Sequence, residues 1–225
     1  MWQNIALIIG AYLLGSVPHL AALGRTRGLR ISGDHHLTLW ARGGRALGFT
    51  GVVLDIIKGV IPVLAAKLFG FDIMITTIAG LAAVIGQMWP VFARFSGEKG
   101  NSIGVGVAAV LSIKALLIAV ILFAVGAGFK LLPRLWRQRQ NLNEWTRFGG
   151  PPSISLPLGM ITGFLVLPVA SWAFHEPAAV TTGFAILFIL LVIRRATAGL
   201  KADLKAEKNT ARIIIYRILL DRSHR

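Results

Sequence analysis

GQMWPVFARFSGEKGNSIGVG, residues 86–106, is the stretch whose reading decides the fold. An apolar run over 87–95, with Arg94 its only charge, ends in Ser96-Gly97-Glu98-Lys99-Gly100. Asn101-Ser102 then opens a second run of small and branched residues. Two helices meeting there leave a tight, glycine-flanked turn at a helix N-terminus. Free N–H groups and the helix dipole make such a place suit an anion. Gly97 and Gly100 let a phosphate approach the main chain, and Lys99 adds a full positive charge. The plainer alternative is an ordinary turn between helices whose lysine marks the cytoplasmic side.

The runs on either side have the composition of a membrane protein. Of 225 residues, 55% are hydrophobic and only 15% charged, with a mean hydropathy of +0.71. A net charge of +15 would suggest nucleic acid in a soluble chain. Here the basic residues follow the positive-inside pattern, so no nucleic-acid partner is expected. The absence of cysteine excludes disulfides and thiol chemistry. The histidines and acidic residues form no cluster at metal-ligand spacing, so neither a metal nor another cofactor is expected. Nothing basic precedes the first apolar run, and the first charge is Arg25, so no cleavable signal is expected.

A helix that crosses ~30 Å of hydrocarbon needs about 20 mostly apolar residues. Such runs lie at 3–23, 47–69, 72–95, 101–132, 154–174 and 178–193. Arg25, Arg27, Arg30, Arg42 and Arg45 follow the first run, Arg94 and Lys99 the third. Lys130, Arg134, Arg137, Arg139 and Arg147 follow the long fourth, and a basic tail starts at Arg194. All these segments face the cytoplasm only if 101–132 crosses twice, with a break between Ser112 and Lys114. The expectation is an all-α integral membrane protein of seven transmembrane helices, N-terminus outside and C-terminus cytoplasmic. Residues 1–195 form the membrane domain. Residues 196–225 form a basic cytoplasmic tail that reads either as an amphipathic helix on anionic lipid or as a partly disordered segment. The stretch 130–152 is basic, contains tryptophan and reads as interfacial, with Gly149-Gly150-Pro151-Pro152 breaking it. The lack of an internal repeat argues against a transporter.

Few residues inside the spans can carry chemistry. Asp55 and Lys58 are three apart and share one helix face, either as a self-neutralising pair or with Asp55 orienting Lys58 toward a cytoplasmic cavity. Pro18 interrupts the first span, and Ser16 can satisfy a freed carbonyl or touch a ligand. Asp34-His35-His36 in the first loop offers an imidazole for acid–base work, or simply a solvated turn.

Several stretches in order resemble the bacterial acyl-phosphate:glycerol-3-phosphate acyltransferases of the PlsY type. They are Gly15-Ser16-Val17-Pro18, Arg45-Ala46-Leu47-Gly48, Asp55-Ile56-Ile57-Lys58-Gly59, Met88-Trp89-Pro90-Val91-Phe92 and Phe95-Ser96-Gly97-Glu98-Lys99-Gly100. The resemblance covers residues 5–195. It implies a seven-span enzyme of the bacterial inner membrane that needs no cofactor. Acyl phosphate would be the donor, glycerol 3-phosphate the acceptor, and membrane lipid the surroundings. The phosphate seat would comprise Arg45, Lys58, Lys99 and Arg194, with Ser16, Gly97, Gly100 and Asn101. Lys99, Gln87 and Lys58 would stand at the reacting centre, and Arg45, Lys58 and Lys99 would converge on one cavity.

This chain also departs from the family pattern. Residues 33–42 lack its glycine- and asparagine-rich loop. Gln87 stands for a histidine and Glu98 for a glycine, and no histidine, glutamate or asparagine follows Arg194 within 195–198. The alternative expectation is therefore a non-catalytic relative that binds lipid or acyl phosphate, or partners another lipid-synthesis enzyme. The oligomeric state stays open.

Overall fold

The chain is helical in its described residues, and its helices break where single residues deny the backbone its next hydrogen bond. The computed structural model describes residues 1–29, 35–137, 155–200, 204 and 210–220. Helix α1 (Trp2–Ser16) stops because Pro18 has no N–H and holds Val17 extended, at φ −61° and ψ 123°. Helix α2 (His19–Arg25) resumes the run, and α3 (His35–Arg42) packs on α4 (Arg45–Leu68). Asp72 caps α5 (Ile73–Met88) by accepting a hydrogen bond from Met74 N at 2.7 Å. This helix ends short of Phe95, at Trp89-Pro90 and one 3₁₀ turn, Val91–Ala93.

Helices α6 (Asn101–Leu111) and α7 (Ile113–Arg137) split the long run at Ser112, which is extended at φ −153°. The Ser112 hydroxyl accepts from Ala115 N at 3.3 Å, capping α7, and donates to Glu176 at 2.7 Å. Helices α8 (Ser155–Ala173), α9 (Ala178–Thr197) and α10 (Thr210–Leu220) complete the order. Expectations placed on Arg30, Gly33 and Asp34, on 138–154, and on 201–203, 205–209 and 221–225 lie outside the described residues.

Four segments are long and apolar enough to cross a membrane: Trp2–Arg25, Arg45–Leu68, Ile73–Ala93 and Ala178–Thr197. Three shorter apolar helices accompany them: Asn101–Leu111, Ile113–Val125 and Pro157–Ala173. With 11 residues, α6 is only about 16 Å long. Large apolar side chains point outward at helical spacing, as with Ile57, Ile61 and Leu64 on α4 and Ile186, Ile189 and Ile193 on α9. In water that pattern would be a liability, but in hydrocarbon it is the ordinary outer face.

Two helix pairs are in backbone contact, and they frame the site. A Cβ on Gly15 would overlap Ala83 O, and one on Gly86 would overlap Tyr12 O, so α1 and α5 touch main chain to main chain. Gly59 against Ile103 O and Gly106 against Ile56 O do the same for α4 and α6. Without water to drive association, close packing at small residues is a main source of helix adhesion in a bilayer.

The described part of the tail is a helix docked on the bundle. Helix α10 packs on α8 and α9 with Ile213 buried. Arg195 donates to Pro157 O and Ile218 O, both at 3.2 Å, and Arg217 donates to Ala198 O.

Candidate functional site

The site grows from the interruption in α1. His19 N bonds Val17 O at 2.9 Å, so Gly15 O loses its helical donor. Lys58 on α4 fills the gap. Its ammonium donates to Gly15 O at 2.7 Å and to Val17 O at 3.0 Å, and it lies 3.3 Å from His19 Nδ1. Two of the ammonium's three protons are taken by these carbonyls. Ser16 shares its hydroxyl proton between Tyr12 O at 2.9 Å and Gly86 O at 3.2 Å, locking α1 to α5.

Asp55 does not pair with Lys58 as the sequence suggested. Its carboxylate is fully buried between two imidazoles, with Oδ1 3.0 Å from His19 Nε2 and Oδ2 2.7 Å from His36 Nε2. A carboxylate at this depth is costly unless it has such partners. The contact with His36 fastens α3 to α4.

The 96–100 loop folds back on the end of α5. Glu98 N bonds Gln87 O at 3.1 Å, and a Cβ at Gly97 would overlap that same oxygen. Only glycine lets the two strands of main chain approach this closely. Gly100, at φ +80°, turns the chain into α6. Arg194, only 8% exposed, donates from Nε to Glu98 O at 3.1 Å and from Nη2 to Gly97 O. Its guanidinium carbon lies 5.6 Å from the Trp89 ring centroid. Glu98 Oε1 in turn meets His35 Nδ1 at 2.9 Å, which ties the loop to α3.

These pieces enclose one pocket, and the expected residues divide around it. Ser16, Lys58, Gln87 and Gly97 line it. Lys99, Gly100, Asn101 and Arg194 belong to the loop and its anchor but not to the wall, and Arg45 is exposed at the start of α4. Of Arg45, Lys58 and Lys99, which were expected to converge on one cavity, Lys58 lines this pocket, and its ammonium meets Gly15 O, Val17 O and His19 Nδ1 around the break after α1. Among the described residues no group of histidines and carboxylates has metal-binding geometry.

Sequence reasoning missed His19 and assigned no partner to His35 or His36. The available signal was Asp55 itself, because an acid in a span needs a partner, and His19 is the one ionisable side chain the first span carries before Arg25 apart from Tyr12.

Known proteins align with this chain over most of its length. The family model for glycerol-3-phosphate acyltransferase matches residues 5–133. Glycerol-3-phosphate acyltransferase 4 of Dehalococcoides mccartyi (strain CBDB1) is 29% identical over 233 aligned positions, 98% of this chain and 90% of that protein. The glycerol-3-phosphate acyltransferase of Aquifex aeolicus (strain VF5) is 34% identical over 176 positions, 76% and 82% of the two chains. Among solved structures, the glycerol 3-phosphate form of PlsY (YgiH), an integral membrane glycerol 3-phosphate acyltransferase, superposes with a TM-score of 0.69 at 27% identity, covering 99% and 95%. Its lysophosphatidic acid form gives 0.68 at 26% identity, covering 91% and 93%.

Proposed function

The chain belongs to the glycerol-3-phosphate acyltransferase family, and from that premise we propose that it moves an acyl group from an acyl phosphate to glycerol 3-phosphate within a membrane. The observation that carries this is the meeting of three interruptions at one pocket: the break at Pro18, the turn after α5, and the glycine loop before α6. The acceptor's hydroxyl oxygen attacks the acyl carbonyl carbon. The bond from that carbon to the bridging phosphate oxygen breaks, and the hydroxyl proton leaves on the departing phosphate. The product is lysophosphatidic acid. The solved relatives are in glycerol 3-phosphate and lysophosphatidic acid forms, the acceptor and the product of this step.

Residue roles follow from charge and place in the fold. Lys58 and Arg194 spend hydrogen bonds on main-chain carbonyls, so they hold the pocket in shape. We assign the phosphate seat to Lys99 and the first turn of α6 at Gly100 and Asn101, where positive charge and main-chain donors coincide beside the pocket-lining Gly97 and Glu98, with Arg45 adding charge at the start of α4. Holding the two substrates in line supplies much of the rate. The three shorter apolar helices join the four long ones as seven crossings in the bacterial inner membrane. The basic loops lie inside and the N-terminus outside.

The test is an assay of purified protein with palmitoyl phosphate and glycerol 3-phosphate, beside an authentic family member. The expected result is ester formation, with Lys99→Ala lowering kcat/KM more than about tenfold at unchanged thermal stability. Full activity in that variant removes Lys99 from the seat. No turnover in the wild type, with the control active, leaves the non-catalytic lipid- or acyl-phosphate-binding relative in its place.

A further inference from the structure

Gln87 is only 5% exposed and lines the pocket, yet its side-chain oxygen Oε1 is buried with no hydrogen-bond partner among the described residues. A buried carbonyl oxygen left without a donor is destabilising, so a ligand that brings a donor is favoured there. The neighbouring wall narrows what that ligand is. Glu98 adds a carboxylate, which also accepts hydrogen bonds. The Lys58 ammonium beside them donates to the Gly15 and Val17 carbonyls and lies 3.3 Å from His19 Nδ1. A phosphate dianion brings no donor and would meet a carboxylate, so this part of the pocket disfavours it. A hydroxyl brings the missing proton.

We propose that the Gln87 side chain, with Glu98 beside it, is the subsite that reads the hydroxyl of the acyl acceptor that stays unreacted, and that it sets the preference for polyol acceptors. An amide takes up no proton near neutral pH, so it suits a hydroxyl that is recognised rather than one that is acylated. This rests on the acyltransferase activity proposed above and adds a specificity-determining residue to it. Sites that hydrogen-bond a substrate hydroxyl reject the analogue lacking it, because the protein's own polar group is then left unpaired.

The experiment compares glycerol 3-phosphate with 3-hydroxypropyl phosphate, which lacks only the middle hydroxyl, using palmitoyl phosphate as donor and the full chain in detergent or bilayer. The wild type is expected to favour glycerol 3-phosphate by about tenfold or more in kcat/KM. Gln87→Met is expected to bring the two acceptors within about twofold, by losing the first while keeping the second. The ratio is independent of the fraction of protein that is active, so partial misfolding does not disturb it. Gln87→Leu gives the same ratio if the methionine variant does not fold. Equal efficiencies in the wild type overturn this proposal alone, as when a water rather than the ligand occupies Oε1. A preference that survives in either variant also overturns it. No turnover of either acceptor overturns the acyltransferase activity and this proposal together.

Discussion

The contacts between α1 and α5 and between α4 and α6 are backbone against backbone, made at Gly15, Gly86, Gly59 and Gly106. The elements around the pocket are held by polar side-chain contacts: His19, Asp55 and His36 on one side, His35, Glu98 and Arg194 on the other. The first set permits only glycine. The second is made by side chains, and here it includes His35, His36 and Glu98, at positions where this chain departs from the family pattern. The fold is therefore fixed by residues that do nothing chemical, and the site is free to change within it.

The harshest way to break that contrast is to add a side chain where two helices touch. Gly106→Val places its Cβ within Ile56 O, an atom that cannot move without shifting α4. The expected outcome is no monodisperse protein on gel filtration in detergent, because the clash exceeds the 1–3 kcal/mol of ordinary overpacking, as an order-of-magnitude guide. A folded Gly106→Val protein would mean that α4 and α6 are not in main-chain contact.

Next in size is the buried carboxylate. Asp55→Asn removes the charge that both imidazoles face and should cost roughly 3 kcal/mol or more of stability, the usual penalty for halving a buried ion pair. Replacing all three members, as His19→Phe with Asp55→Leu and His36→Leu, should recover much of that stability, because apolar residues of similar volume often substitute for a buried pair at no loss. Melting temperatures in detergent read both. If the triple variant melts as low as Asp55→Asn, the cluster is not merely a replaceable fastener of α3 to α4.

How far the sequence carried this far depends on whether a residue acts through its neighbours in the chain or across it. The break at Pro18, the split at Ser112 and the turn at Gly100 are local, and each is visible in a few residues. The glycine-rich loop before α6 is visible for the same reason. Partner choice is not local. Asp55 and Lys58 share a helix face and read as a pair, but α2 and α3 bring His19 and His36 to one of them, and the break after α1 brings bare carbonyls to the other. Nor does the basic character of Arg194 say that it binds main chain. The docking of the tail helix on α8 and α9 needs Arg195 and Arg217 to find carbonyls that sequence cannot place.

The smallest expected effect separates anchoring from substrate binding at Arg194. Its guanidinium forks to the carbonyls of Gly97 and Glu98 while lying over Trp89, so it holds the loop by shape as much as by charge. Lysine keeps the charge but offers no planar fork and a weaker stacking face. Arg194→Lys should therefore lower stability by about 1 kcal/mol and raise the KM for glycerol 3-phosphate a few-fold, with kcat within about twofold, because the loop is loosened rather than removed. A variant that melts like the wild type but loses kcat by a hundredfold or so would show that the guanidinium meets the reacting phosphate in the transition state. Arg194 would then belong with Lys99 rather than with the scaffold.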